Sequence, residues 1–299
     1  VDWLTDTGAS VLNLLCKGSL AHVTKQLRKT PEEHIKDIRS VLKYAFSKGL
    51  KVNLYLEDWS NGMKDSEDYV YMIIDSLKDE NIERFMLPDT LGVLSPNKTF
   101  EYCSKMRQKY PDIHFDFHAH NDYDFAVANT FMAVQAGFTG VHATVNGLGE
   151  RTGNPSLASV VAVLNDHYGK GSVSVDESSL NKISRIVEAF SGIRVPGNKP
   201  VIGENVFTQV CGVHADGDKK GNLYCNDLIP ERCGRMRKYA LGKTSGKASI
   251  EKNLEELGIV LDKEAIEKVT RRIVELGDKK RNVTTDELPY IISDVLGSK

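Results

Sequence analysis

The sequence predicts an α/β protein. It reads as a (β/α)8 TIM barrel, incomplete here with about five βα units, followed by a linker and a small helical subdomain. Three observations predict it. Short β-branched segments recur about every thirty residues, each followed by a helix-period stretch. Polar, chemically useful residues cluster directly after those segments, where a barrel keeps its active site. No glycine-rich dinucleotide turn follows the first strand, which disfavours an open doubly wound sheet.

The strand segments are residues 10–15, 52–56, 84–87, 114–118 and 140–145. The intervening helical stretches are 31–48, 66–79, 97–109, 124–136 and 156–166. Thr30-Pro31-Glu32-Glu33 sets an N-cap before proline and two acids, a good helix start. These units fill residues 1–172 as the C-terminal part of a barrel. A glycine- and proline-punctuated stretch, 173–243, reads as linker and first subdomain, with a helix near 180–190. Residues 244–299 read as a helical subdomain, with helices at 247–257, 263–276 and 285–296. Thr284-Thr285-Asp286-Glu287 resembles a helix N-terminus. The first strand arrives at once after Val1, so the three absent barrel units are expected before it. That predicts an open sheet edge.

Composition narrows the function classes. Apolar residues make up 40% and charged residues 27% of 299, ordinary for a globular protein. A net charge of −2 gives no footprint for nucleic acid or an anionic membrane. No apolar run approaches the roughly 20 residues a bilayer requires, and no secretory signal is visible. The five cysteines are odd in number and include no C-x-x-C pair. That points to a reducing, cytoplasmic setting without a disulfide framework.

The chemistry concentrates in two loops. His118-Ala119-His120 ends an alternating strand. Residues two apart in a strand share a side, so both imidazoles face one cavity. Two neutral imidazoles suit a divalent metal, although strand-end histidines also serve as plain hydrogen-bonding residues. Asn121-Asp122 could orient the ligands. One unit later, Asn146-Gly147-Leu148-Gly149-Glu150-Arg151-Thr152-Gly153-Asn154 offers glycines for close backbone approach, a Glu150–Arg151 rim pair and the Asn154 carbonyl oxygen. Glu57-Asp58 and Asp89-Thr90 end two further strands. Taken alone, these are equally ordinary solvated or turn residues.

Phe117-His118-Ala119-His120-Asn121-Asp122, Ala126-Val127-Ala128-Asn129 and the long glycine-loop run resemble the second signature of the isopropylmalate/homocitrate/citramalate synthase family. Leu87-Pro88-Asp89-Thr90-Leu91-Gly92 resembles the preceding strand end. Gly212-Val213-His214-Ala215-Asp216-Gly217 and Leu241-Gly242-Lys243-Thr244-Ser245-Gly246-Lys247 resemble the linker and subdomain motifs. The resemblance spans essentially the whole chain, in the family's order. It implies a metal-dependent Claisen condensation of acetyl-CoA with a small 2-oxo acid, by a homodimer. It implies metal ligation by His118 and His120, with Asn154 at the metal site, and a divalent Mn, Zn or Mg ion. Glu57, His214 and Tyr224 take catalytic positions, His214 being supplied to the neighbouring subunit. Thr90, Glu150 and Asp216 take substrate positions. The family's Asp-Arg-Glu motif, whose Asp binds the metal, does not occur in this sequence. An incomplete metal site, inactive alone, is therefore expected. The related hydroxymethylglutaryl-CoA lyases carry a reactive cysteine in the glycine loop. Here no cysteine occurs between Cys103 and Cys211, which favours a synthase.

Substrate choice rests on the space beside the keto carbon. Tyr55, two residues before Glu57, falls on the cavity side. Leu15, ending the first strand, adds bulk. Together they leave room for a methyl group, which predicts pyruvate and (R)-citramalate, with 2-oxoisovalerate and isopropylmalate next and homocitrate after it; the alternative of another class is a non-catalytic barrel fragment that binds CoA or a partner. The pairing resembles the family's citramalate-forming branch.

Overall fold

The computed structural model describes residues 1–209, 211–279, 281 and 283–297. The chain forms two compact units, Val1–Ser174 and Val175–Lys299.

The first unit is a parallel five-stranded sheet. Its strands are β1 (Val11–Lys17), β2 (Lys51–Glu57), β3 (Ile82–Asp89), β4 (Phe115–Ala119) and β5 (Gly140–His142). They lie in the order β1-β2-β3-β4-β5, all parallel. Consecutive order with no reversal is how a barrel winds; a doubly wound sheet turns back at a switch point. Among the described residues, β1 and β5 each pair on one side only, so five strands make part of a barrel wall.

The helices are α1 (Asp2–Asp6), α2 (Pro31–Ser47), α3 (Trp59–Asp65), α4 (Glu67–Leu77), α5 (Pro96–Lys109), α6 (Ala126–Gln135) and α7 (Leu157–Val163). Local chemistry sets their starts. Thr30 Oγ1 accepts from the Glu33 amide at 3.2 Å, and the Glu33 carboxylate accepts from the Thr30 amide at 2.8 Å. This capping box precedes Pro31, as the sequence predicts. Ser95 Oγ caps α5 by accepting from the Lys98 amide, also before a proline but without the reciprocal carboxylate. In α2 the buried residues His34, Ile35, Ile38, Leu42 and Ala45 recur at helical spacing on one face.

Strand alternation gives the sheet two unlike faces. Leu54, Leu56, Phe85, Leu87, Phe115 and Phe117 point to the helix-covered face and are buried. Trp59 lies beneath them, edge-on to Tyr102 and Phe117 at 6.4 and 6.5 Å between ring centres. Laterally paired residues of parallel strands share a side. The register therefore puts Leu15 beside Tyr55, Tyr55 beside Met86, Met86 beside Asp116, and His118 between Pro88 and His142 on the opposite face. This face carries most of the polar residues of the sheet.

Strand and helix boundaries depart from the sequence reading by one to three residues. The larger departures lie in loops. The fifth strand stops at His142, because Asn146 takes a left-handed φ of 62° and a 3-10 turn, Val145–Gly147, replaces its end. The short helix α3 had no strong periodicity to announce it. A π-helical turn, His22–Leu27, follows β1.

The second unit holds α8 (Leu180–Ser191), β6 (Thr208–Gln209), α9 (Gly212–Lys219), β7 (Lys238–Tyr239), α10 (Lys247–Glu256), α11 (Lys263–Asp278) and α12 (Leu288–Leu296). The last three pack Ile250, Leu254, Val269, Ile273, Leu288 and Ile291 into a separate core. Within the stretch read as linker, β6 and β7 pair in parallel and α9 forms between them, elements too short for periodicity to reveal. All five cysteines are free. No helix among the described residues is long and apolar enough to cross a membrane.

Candidate active site

Two imidazoles meet at the end of β4. His118 Nε2 stands 3.3 Å from His120 Nε2. Two imidazole nitrogens on one tetrahedral cation, each about 2.0–2.1 Å away, lie about 3.3 Å from each other, so the spacing fits a shared divalent ion. His120 Nδ1 is buried without a hydrogen-bond partner. Burial, reinforced by His142 and His120, lowers the His118 pKa to about 4. Burial and then the Arg151 charge lower that of His120 as well. Both rings are thus neutral near pH 7, the form that donates a lone pair. Among the described residues, no group of three or more His, Cys, Asp or Glu side chains is arranged to hold a metal.

Asn154 joins the pair, but not as expected. Its amide nitrogen lies 3.1 Å from His118 Nε2 and donates to the Ala119 carbonyl at 2.9 Å. The nitrogen, not the expected carbonyl oxygen, faces His118, because the Ala119 carbonyl demands a donor. A Cβ at Gly149 would overlap Asn154 Oδ1, so the glycine is what lets the asparagine side chain lie there.

Tyr55 reaches the same cavity face. Its ring centre is 5.8 Å from that of His118, edge to face. Burial, with Glu57 and Glu150 adding, raises its pKa, so the phenol keeps its proton. Glu57 lies two residues on and pairs with the Lys17 ammonium at the end of β1. Lys17 is a neighbour that sequence reasoning missed; the lateral register of β1 on β2 supplies it. Thr90 Oγ1 accepts from the Asp58 amide at 2.8 Å, fastening the ends of β2 and β3 together. Leu15 shares the Tyr55 face through register and is 57% exposed on the edge strand β1.

The glycine loop is held from outside. Arg151 donates from Nε and Nη2 to the two Asp122 carboxylate oxygens, each at 2.8 Å, and from Nη2 to the Thr90 carbonyl at 2.9 Å. Glu150 stands farther off, 3.8 Å from Arg151, and its side chain is 83% exposed. Asp122 is therefore occupied by Arg151. Asn121 Oδ1 accepts from the Ala126 amide at 3.1 Å. Neither residue touches a histidine ring nitrogen through a hydrogen bond, which corrects the orienting role expected of them.

That place is taken by residues the sequence reading passed over. Asp116, 3% exposed, accepts from His114 Nε2 at 2.8 Å, Arg84 Nη1 at 3.2 Å and His142 Nε2 at 3.3 Å. Burial raises its pKa, but those three partners outweigh it and hold the carboxyl below the ordinary value. His142 Nδ1 in turn lies 3.3 Å from His118 Nδ1. Alternation along β4 puts Asp116 on the His118 side. His142 becomes visible only with the β4–β5 register.

In the second unit, His214 sits on α9 with Nδ1 2.9 Å from Gln209 Oε1. Its ring lies over Tyr224, with centres 4.2 Å apart and a 34° tilt. Asp216, two residues along α9, pairs with Lys220 at 2.7 Å. His214 and Tyr224 are thus neighbours, and Asp216 points to a different partner.

Comparison with known proteins agrees with this architecture. A family model described as HMGL-like matches residues 1–187, and one described as homocitrate synthase post-HMGL domain-like matches residues 201–281. The chain assigned as (R)-citramalate synthase CimA in Methanopyrus kandleri is 38% identical over 99% of this chain and 58% of its own length. The 2-isopropylmalate synthase of Sulfolobus acidocaldarius is 34% identical over 100% of this chain and 76% of its own. The homocitrate synthase of Saccharolobus solfataricus is 35% identical over 84% of this chain and 54% of its own. The chain thus spans 57–58% of the length of the first three curated relatives it matches. Among solved structures, the hydroxymethylglutaryl-CoA lyase of Pseudomonas aeruginosa superposes with a TM-score of 0.58 at 20% identity, covering 65% of this chain and 67% of that one. This structural likeness speaks to the fold alone. The two family models and the long pairwise matches carry the assignment: the chain belongs to the HMGL-like family, among its citramalate, isopropylmalate and homocitrate synthases.

Proposed function

We propose that this chain forms part of an acyltransferase that condenses acetyl-CoA with a 2-oxo acid, and that the oxo acid is pyruvate. The reaction would be acetyl-CoA, pyruvate and water giving (R)-citramalate and CoA. The observation that carries the metal-site reading is the 3.3 Å separation of the His118 and His120 Nε2 atoms. A divalent ion held there would polarise the keto carbonyl of the oxo acid. Asn154 would keep the end of β4 in place through its bond to the Ala119 carbonyl.

The remaining roles follow from placement. Glu57, oriented by Lys17, stands at the strand end as a base or water-orienting carboxylate. A base would remove a methyl proton from acetyl-CoA, and the resulting carbanion would attack the keto carbon. The new alkoxide takes up a proton, and water then cleaves the thioester to release the CoA thiol. Thr90 and Glu150 line the loops where the oxo acid would sit. His214, Tyr224 and Asp216 would act from a partner subunit in a homodimer, His214 in proton transfer and stacked on Tyr224.

The Tyr55 ring beside His118 favours pyruvate, because it fills the space a branched substituent would need. A second reading is 2-oxoisovalerate and an isopropylmalate product, supported by the 34% identity to the 2-isopropylmalate synthase of Sulfolobus acidocaldarius. A panel of 2-oxo acids, followed by acetyl-CoA-dependent thiol release in the native full-length polypeptide, separates them. Thiol release with pyruvate above 2-oxoisovalerate is expected. The reverse order would overturn the pyruvate assignment, and no thiol release with any oxo acid would overturn the condensation itself.

A further inference from the structure

Each imidazole has one N–H to give when neutral, so the partners of one ring nitrogen decide what the other can do. Asp116 is the fixed end of such a chain. It is buried and surrounded by three donors, and the guanidinium of Arg84 supplies the countercharge. A carboxylate in this setting can only accept. His142 must then place its proton on Nε2, which faces Asp116 at 3.3 Å. The reverse tautomer would set a nitrogen lone pair against a carboxylate oxygen. With Nε2 protonated, His142 Nδ1 is an acceptor, and it faces His118 Nδ1 at 3.3 Å. His118 accordingly carries its proton on Nδ1. Its Nε2 is left as an acceptor, facing the Asn154 amide nitrogen at 3.1 Å and His120 Nε2 at 3.3 Å, a lone pair a cation would take over from the Asn154 amide.

The backbone is built to allow this. Asp116 pairs in register with Gly140, and His118 with His142, so all three side chains lie on one face. A Cβ at residue 140 would overlap Asp116 Oδ1. The glycine is the space in which the carboxylate sits.

We propose that Asp116 and His142 are positioning residues: through the chain Asp116–His142–His118 they fix His118 as the Nδ1–H tautomer and so present its Nε2 lone pair to a divalent cation. The cation part rests on the metal-site reading above; the tautomer part does not. The test uses long-range 1H–15N NMR of the histidine rings in the metal-free protein, beside Mn2+ and Zn2+ titration by calorimetry. The parent protein should show His118 as a single Nδ1–H tautomer. In His142→Leu, the His118 ring should become a tautomer mixture, and cation affinity should fall about 10- to 100-fold, the usual effect of removing such a partner. His142→Asn, whose side-chain oxygen can accept in place of Nδ1, should restore both readouts, which a loss of folding would not allow. An unchanged His118 tautomer in a folded His142→Leu protein would overturn the proposal. A parent protein with the Nδ1–H tautomer but no cation binding would uphold the relay and overturn the metal site instead.

Discussion

Arg151 grips Asp122 with two parallel hydrogen bonds of 2.8 Å and spends its remaining reach on the Thr90 carbonyl. One side chain thereby links the glycine loop, the loop after β4 and the end of β3. It does so from a left-handed backbone, φ 55°, that costs a non-glycine residue energy and must be held by its contacts. Both partners are partly exposed, so Arg151→Ala should cost only about 1 kcal/mol of global stability. Its local effect should be larger. Amide exchange in the stretch 145–154 should accelerate well beyond that of β2 and β4. Uniform exchange across all three would show that the fork does not hold the loop.

The histidine pair makes a sharper claim. His118→Ala or His120→Ala removes half of the nitrogen donors, so divalent-cation affinity should fall by more than the roughly 10- to 100-fold typical of an outer partner. Neither ring's loss should unfold the sheet, because the core lies on the opposite face. Calorimetric titration with Mn2+ and Zn2+ checks this. Equal affinity in parent and double variant would place the cation elsewhere.

Part of this was legible beforehand, for physical reasons. Alternation in β4 alone puts His118 and His120 on one side, and capping chemistry at Thr30 marks α2, because both depend only on neighbours in sequence. The His142 contact does not. It depends on which residue of β5 lies beside His118, and register is set by packing across strands. The same limit hid Lys17 beside Glu57. Asn154 shows the converse: its position was readable, but which end of the amide faces the site depends on the Ala119 carbonyl, a backbone group no motif encodes.

Gly140 offers a test of how closely the polar face is packed. An added methyl would meet the Asp116 carboxylate rather than open space. Gly140→Ala should therefore destabilise the first unit by about 1–3 kcal/mol, the range for overpacking a filled site. Gly49, at a turn with nothing near its added Cβ, controls for a general effect of losing glycine, although its φ of 76° carries its own backbone cost. Thermal unfolding of both variants gives the comparison. A Gly140→Ala protein as stable as its parent would mean Asp116 can move aside freely.

Tyr55 should govern the size of substituent accepted. Tyr55→Ser removes the ring beside His118 and opens the cavity face. A pocket distinguishes such differences by about 1–3 kcal/mol, so kcat/KM for 2-oxoisovalerate relative to pyruvate should rise about 10- to 200-fold. Steady-state thiol release with both acids measures it. An unchanged ratio would put the selective wall somewhere else on the molecule.

His34 is buried, with Nδ1 2.9 Å from the Tyr69 hydroxyl, and the Tyr69 hydroxyl donates to the Lys17 carbonyl at 3.0 Å. The Lys17 amide closes the ring with a long 3.5 Å approach to His34 Nε2. A second proton on His34 would set N–H against N–H at the end of β1. Burial lowers the pKa of His34, and it does the same for His118 and His120. In the unfolded chain each would titrate near 6.5. The unfolded state thus binds more protons than the folded one below about pH 6.5, and stability falls as pH drops from there toward the folded values. Asp116 and Asp122 are held below 3.8 and lose their contribution only at lower pH. Asp89, raised by burial, has the opposite sign, since its protonated form is favoured in the fold. The metal-free protein should therefore melt at lower temperature at pH 5 than at pH 7.5. His34→Gln, which cannot titrate, should flatten that slope. A slope identical in parent and variant would mean that the ring of contacts around Lys17 accommodates a charged imidazole without loss.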